Sequence, residues 1–205
     1  MKGKFITFEG SEGSGKTTQI QMVSKYLSSM GFSVLFVREP GGTDISERIR
    51  DILLDLKNTG MCDECEMLLY MAARAQLVTE VIIPALENGR IVLCDRFLDS
   101  TLAYQGYGNG IDINIIKKIG EFAVKGITPD LTFVFDIDVK MGFSRIHRPK
   151  DRIELRSISY HERVREGYLR IAAEAPERIK LVRVEGSEED VFACVRGHVD
   201  RLLGV

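Results

Sequence analysis

Gly10-Ser11-Glu12-Gly13-Ser14-Gly15-Lys16-Thr17 fits the pattern G-x-x-x-x-G-K-[ST]. The residues before it, Lys4 to Gly10 (KFITFEG), read as a buried strand, and those after it, 15 to 30, as a helix that ends at Gly31. In that context the glycines let the backbone turn tightly, so that successive N–H groups converge on phosphate oxygens while the helix N-terminus adds a favourable dipole. Lys16 then reaches the β- and γ-phosphates, and Thr17 offers its hydroxyl to Mg²⁺. The alternative is a Gly/Ser-rich turn that merely joins a strand to a helix, and the Lys-Thr pair argues against it. The motif speaks for nucleotide phosphate binding and is silent on any second substrate.

Four further stretches have the near-continuous apolar character of strands covered on both faces: SVLFVRE (33 to 39), IVLCD (91 to 95), LTFVFDID (131 to 138) and KLVRVEG (180 to 186). Helical patterns lie between them. One runs from 64 to 88 and ends at Gly89, another from 159 to 175 stops before Pro176, and Ser187 with Asp190 forms a capping box that opens a last helix. Alternating strands and helices make an α/β fold, a parallel sheet with helices on both faces whose ligands sit beyond the carboxyl ends of the strands. No repeat, low-complexity tract or long linker divides residues 1 to 205, so a single domain is expected.

Composition narrows the partners. With 205 residues, 44% of them apolar, the chain can bury a substantial core, and a net charge of −2 with pI near 6.0 lacks the basic excess of a nucleic-acid binder. No apolar run of about 20 residues suggests a membrane span, and no signal peptide opens the chain. The expected address is cytoplasmic, with neither nucleic acid nor membrane as partner. Cys62 and Cys65 form a Cys-x-x-Cys pair, but Cys94, Cys194, His147, His161 and His198 are too scattered to complete a zinc site. The pair reads as reduced thiols near a helix start, with a redox pair as the alternative.

Neither the Asn-Lys-x-Asp motif of guanine recognition nor an Asp-x-x-Gly phosphate sensor occurs. Cys94-Asp95-Arg96, at the end of the third strand, puts a carboxylate where a Mg²⁺-water ligand is needed and a guanidinium beside it. A structural ion pair is the bland reading.

Three stretches together resemble the successive signatures of thymidylate kinases: Phe8-Glu9-Gly10-x-Glu12-Gly13-x-Gly15-Lys16-Thr17-Thr18-Gln19, Arg38-Glu39-Pro40-Gly41-Gly42-Thr43, and Asp95-Arg96-Phe97-x-x-Ser100-Thr101-x-Ala103-Tyr104-Gln105. The resemblance runs from about residue 4 to about 186. It implies the nucleoside monophosphate kinase fold with a five-stranded parallel core, a homodimer, and transfer of the γ-phosphoryl of ATP to dTMP, giving ADP and dTDP for dTTP synthesis. ATP would lie on Gly10, Ser11, Glu12, Gly13, Ser14, Gly15, Lys16, Thr17 and Thr18, with Mg²⁺ on Thr17 and Asp95, partly through water. A monophosphate region is implied at about 38 to 75, with Arg38, Arg50 and Arg96 around the dTMP phosphate. Tyr70 would stack on the base, Arg74 and Gln105 would hydrogen-bond its edge, and Ser100, Thr101 and Tyr104 would border the sugar, where Tyr104 crowds a ribose 2′-hydroxyl. Glu12 and Glu39 match acids near the sugar and the metal waters. Without the resemblance Tyr70 reads as a core aromatic and Arg50 as a solvated helix residue, whereas Arg74 within Met71-Ala72-Ala73 and Ala75 needs buried partners on any reading.

Residues 141 to 156, MGFSRIHRPKDRIELR, carry Arg145, Arg148, Lys150, Arg152 and Arg156. A solvated charge run is the ordinary reading; a basic lid that folds over ATP is the functional one. Arg145 resembles the family arginine that lies against adenine. Some thymidylate kinases carry a catalytic arginine where this chain has Gly13, and those without it supply arginines from the lid, which makes Arg148 and Arg152 the candidates here. Two other readings stay open, a kinase for a different monophosphate and a non-catalytic nucleotide-binding regulator.

Overall fold

A computed structural model describes residues 3–205. Five strands, β1 (Lys4–Gly10), β2 (Val34–Arg38), β3 (Ile91–Asp95), β4 (Leu131–Asp136) and β5 (Ile179–Arg183), form one all-parallel sheet in the order β2-β3-β1-β4-β5. All five expected strands are present, β1 and β3 with the expected ends and the others with ends shifted by one to three residues.

Side chains alternate across the central strand with the period of two that a pleat imposes. Ile6 and Phe8 of β1 face α1 (Lys16–Ser29) and α9 (Glu188–Leu203), packing with Ile20, Val23, Val195 and Val199. Phe5 points to the other face, among Leu77, Val92 and Phe97. Glu9 shares the face of Phe5 and is carried into the second layer, where it meets the N–H of Phe97 at 2.7 Å. The capping box opens α9 as expected, with Ser187 and Asp190 each accepting the other's backbone N–H.

The predicted helix over 64 to 88 is continuous in space but not in hydrogen bonding. It runs as α3 (Asp63–Leu77), a π-helical turn (Val78–Ile82) and α4 (Ile83–Glu87). Pro84 lacks the N–H that would bond four residues back and its ring crowds that carbonyl, so the chain takes the wider turn. Within Asp63–Glu87, 25 residues, a window of 18 has mean hydropathy 1.3, so by length and composition alone the stretch could cross a membrane. Its apolar side chains Met67, Met71, Leu77, Val78 and Ile82 are buried in the core.

The sequence sets no bounds for four helices: α2 (Asp44–Leu54), where only Arg50 reads as helical, α5 (Leu98–Thr101), α6 (Ile113–Val124) and α7 (Val139–Ser144). A second π-helical segment, Leu102–Gly108, follows α5 and packs against α8 (Ile158–Glu174). The expected basic lid therefore begins as helix α7, and the irregular stretch runs from 145 to 157.

At the root of that stretch two backbones touch. A Cβ on Gly13, at φ +67°, would lie 2.0 Å from the carbonyl oxygen of Gly142 in α7, and a Cβ on Gly142 would lie 2.3 Å from the carbonyl oxygen of Glu12. Gly142→Ala should lower stability by about 1–3 kcal/mol, because a rigid backbone oxygen cannot yield as a side chain would. A urea midpoint equal to wild type would show that α7 slides freely on the loop.

Candidate active site

The carboxyl ends of β1, β2 and β3 open into a cleft of about 400 Å³. Residues 12–18 of the glycine-rich loop form one wall, and Arg38, Glu39, Arg50, Tyr70, Arg74, Asp95, Arg96, Ser100, Thr101, Tyr104 and Gln105 line the rest. Segments far apart in sequence are thus brought together. Gly10 and Ser11 lie just behind the wall, their carbonyls accepting from Lys16 Nζ at 3.0 and 2.9 Å. Burial, then the nearby Arg96 guanidinium, lower Lys16 to about 8 against Glu12, Asp95 and Glu9. Thr17 and Asp95 meet at the cleft, the Thr17 hydroxyl donating to Asp95 Oδ2 at 3.2 Å.

Arg96 is the centre of the arrangement. Its Nη1 donates to the Gly10 carbonyl, Ser100 Oγ and Tyr168 Oη, and its Nη2 to Glu12 Oε1 at 2.6 Å and Tyr104 Oη at 3.1 Å. Its backbone sits at φ +71°, a left-handed conformation that an arginine adopts only when its surroundings over-determine it. Burial would raise the Glu12 carboxyl, but Arg96, Lys16 and a hydrogen bond from Tyr104 outweigh it and hold it at about 2. Burial likewise works against the charge of Arg96, and Glu12, Tyr104, Tyr168 and Asp95 together more than offset it.

Arg38 and Arg50 converge from β2 and α2 on one acceptor, the Pro40 carbonyl, each at 2.9 Å. Arg38 also forms an ion pair with Glu47. Tyr70, half-buried, lines the cleft and does not join the core. Arg74 is fully buried, and each of its nitrogens already has a protein partner: Glu39 for Nε and Nη2, the Phe97 carbonyl for Nη2, Thr101 Oγ1 and Met71 Sδ for Nη1. The expected buried partners exist, and they occupy the donors that the sequence reading assigned to a base edge.

The basic segment divides. Arg148 lines the cleft, chelated by Glu154 at 2.6 and 2.8 Å. Arg152 points elsewhere, its Nε to the Leu53 carbonyl and its Nη2 2.7 Å from Glu66. Arg145 is exposed at the end of α7 and does not line the cleft.

Sequence reasoning missed Glu9, Glu66, Tyr168 and Glu154. Glu66 carried a signal, since it stands four residues before Tyr70 and eight before Arg74 on one helical face. Glu9 accepts from Phe97 N, Ser100 Oγ and Tyr168 Oη. Burial, then Asp99, push its carboxyl up from 4.5 to about 7, against the hydrogen bond from Ser100, Arg96 and the Phe97 N–H. The folded chain therefore keeps a proton that the unfolded chain releases between those values, and the contribution of Glu9 to stability falls as pH rises through that window. Below it Glu12 acts with the opposite sign, and this effect is common to any Glu9 variant. Glu9→Gln should therefore compare best with wild type at pH 8 and worst at pH 5, a difference of about 3 kcal/mol in urea unfolding. A pH-independent difference would mean that Glu9 ionises as an ordinary carboxylate.

Similarity to known proteins agrees with this architecture. A family model described as Thymidylate kinase matches residues 8–195. A thymidylate kinase of Geobacillus sp. (strain WCH70) is 49% identical over 209 residues, covering 100% of both chains. One of Clostridium novyi (strain NT) is 46% identical over 200 residues, spanning 96% of this chain and 98% of the relative. A crystal structure of thymidylate kinase from Ehrlichia chaffeensis superposes with a TM-score of 0.80 at 35% identity, covering 97% of this chain and 99% of that one.

Proposed function

The chain belongs to the thymidylate kinase family, and we propose that its cleft holds dTMP with the phosphate among Arg38, Arg50 and Arg96 and the base beside Tyr70 and Gln105. The reaction is phosphorylation of dTMP to dTDP with ATP as donor. One observation carries the assignment of the site: Lys16 and the glycine-rich loop share a single cleft with three converging arginines and an aromatic ring. A triphosphate on the loop and a monophosphate on the arginines would then face each other across it.

Within that cleft a phosphate oxygen of dTMP attacks the γ-phosphorus in line. The acceptor is already anionic at neutral pH, so positioning and charge stabilisation carry the catalysis rather than a general base. Lys16 spans the β- and γ-phosphates, Arg96 neutralises the acceptor, and Arg148 supplies charge from the lid. Thr18 adds its side chain at the phosphate end, and Arg145 is the lid residue assigned to adenine, reaching it only if the exposed stretch folds inward. Glu12 and Tyr104, joined by a 2.8 Å hydrogen bond, close the sugar side with Ser100 and Thr101, and Glu39 acts through Arg74.

Thr17 and Asp95 would hold Mg²⁺, partly through water. Their neighbouring oxygens suit a hard cation, and among the described residues no group of three or more acidic, His or Cys side chains could hold a metal, which fits an ion that keeps most of its waters. When bound it neutralises charge on the β- and γ-phosphoryl oxygens. We extend the reading to residues 1 to 205 as one domain and to a homodimer through α3 and α6, supported by the exposed Leu68, Ile115 and Phe122, the last at 86%. Four unpaired cysteines suit a reducing cytoplasm.

Lys16→Ala should abolish turnover in a folded protein, and an acceptor panel of dTMP, dUMP, dCMP, AMP and GMP in a coupled ADP assay should favour dTMP. A different preferred acceptor would overturn the base assignment. For the lid, Arg148→Ala should lower kcat at least about tenfold with little change in the KM for dTMP, since its charge is wanted in the transition state. Arg152→Ala should act mainly on stability. A kcat loss equal to that of Arg148→Ala would mean that Arg152 leaves Glu66 when the substrates bind.

A further inference from the structure

Behind the base end of the cleft, Glu66 of α3 is fully buried and surrounded by donors. Its Oε1 accepts from Gln105 Nε2 at 3.0 Å and from Asn109 Nδ2 at 3.3 Å. Its Oε2 faces Arg152 Nη2 at 2.7 Å and Arg156 Nη2 at 2.8 Å. Asn109 closes the ring by accepting from Arg156 with its own side-chain oxygen. A carboxylate paired with two guanidiniums has nothing to donate, so an amide beside it must turn its NH₂ group inward. The reverse orientation of Gln105 would set oxygen against oxygen in a buried place and strand both.

The consequence reaches the cleft. With its NH₂ spent on Glu66, Gln105 has only its side-chain oxygen left, and that oxygen takes no hydrogen bond among the described residues. Arg74, which also lines the cleft, has a protein partner on every nitrogen. What Gln105 offers a base is therefore an acceptor.

We infer that Glu66 is a positioning residue for base selection: it fixes the Gln105 oxygen toward the cleft, so that the site requires a ring N–H and rejects a pyrimidine whose N3 carries a lone pair. The inference rests on the reading of Gln105 as part of the base pocket. Thymine presents N3–H in that place, and cytosine in the same pose presents a lone pair. Glu66→Gln keeps the shape but confronts four donors with one acceptor, so the Gln105 amide is free to turn.

The test is the ratio of kcat/KM for dTMP to that for dCMP. Both acceptors use the same phosphate site and lid, so any disturbance of Arg152 or Arg156 cancels in the ratio. Glu66→Gln should lower it at least about tenfold, well within what loss of a matched hydrogen-bonding partner can do. Gln105→Ala should lower it too, and adding Glu66→Gln to Gln105→Ala should lower it no further. A folded Glu66→Gln enzyme with the wild-type ratio would overturn the inference, as would an equal fall in the Gln105→Ala background. If Gln105→Ala itself left the ratio unchanged, the base-pocket reading would fall and the inference with it, a result distinct from failure of Glu66 alone. Wild-type protein gives an independent arm should the variants not fold. The ¹⁵N-labelled side-chain amide protons of Gln105 should be protected from exchange with and without dTMP, and protons that exchange freely until dTMP binds would show that they donate to the base, contrary to the inference.

Discussion

Five acceptors from four parts of the chain close around the guanidinium of Arg96: the Gly10 carbonyl, Glu12, Ser100, Tyr104 and Tyr168. The residue follows β3 directly, so the sheet determines where its Cα stands, and the left-handed backbone turns its side chain under the glycine-rich loop. Loop, α5, π-helical segment and α8 are each held at a point where their polar groups meet this one cation. A guanidinium offers five donors in a rigid plane, and that plane sets the relative orientation of everything it touches. The strain of the backbone is the counterpart of this order, and it lies where an anion would be bound.

Charge in and behind the cleft is arranged in compensating pairs rather than as a uniform positive surface. Arg96 answers Glu12, Arg74 answers Glu39, Arg148 answers Glu154 and Arg152 answers Glu66. Removing one partner from such a buried pair strands the other, which costs several times what a surface pair contributes. Two buried groups show the remaining imbalance. Lys16 is brought down to about 8 by burial and then by Arg96, and Glu9 is brought up to about 7 by burial and then by Asp99. Both lie where the loop meets β1 and β3, close to the contacts of Arg96.

How much of this was legible in the sequence follows from what each feature depends on. The five strands and the loop were readable because buried parallel strands are apolar throughout and because Gly10 to Thr17 is a local pattern. The helices α5 and α7 are too short to carry a helical period, and the π-helical turn at Val78–Ile82 follows from Pro84 inside a pattern that otherwise reads as one helix. Tyr70 shows the limit most plainly, since its spacing alone put it in the core and only its family position put it in the cleft. The partners of Arg74 were foreseeable in kind and not in identity, because Glu39 follows β2 while Phe97 and Thr101 follow β3. Arg148 and Arg152 lie four residues apart in one basic run, yet one faces the cleft and the other Glu66, a difference set by Glu154 and Glu66 and not by the run itself.

The contact between Gly13 and Gly142 connects the loop sequence to that division of arginines. With the carbonyl oxygen of Gly142 occupying the space above Gly13, no side chain of any kind fits at that position of the loop, and α7 packs directly on the backbone that cradles phosphate. On the proposed reading, positive charge for the transferring group then enters from beyond α7, along the stretch from 145 to 157. Of the two arginines proposed there, Arg148 is held by a carboxylate on the rim of the cleft, with its side chain 59% exposed. It can be transferred from Glu154 to a phosphoryl oxygen by a small movement, because both are anionic oxygens met by the same planar fork. Arg152 would have to abandon a fully buried Glu66 and the Leu53 carbonyl. What separates the two arginines is their own exposure, since the side chain of Arg152 is only 9% exposed while Glu154 and Glu66 are both buried. On the proposed reading, the close approach of two glycines directs the catalytic charge to the stretch from 145 to 157, and the exposure of Arg148 against the burial of Arg152 favours Arg148 as its carrier.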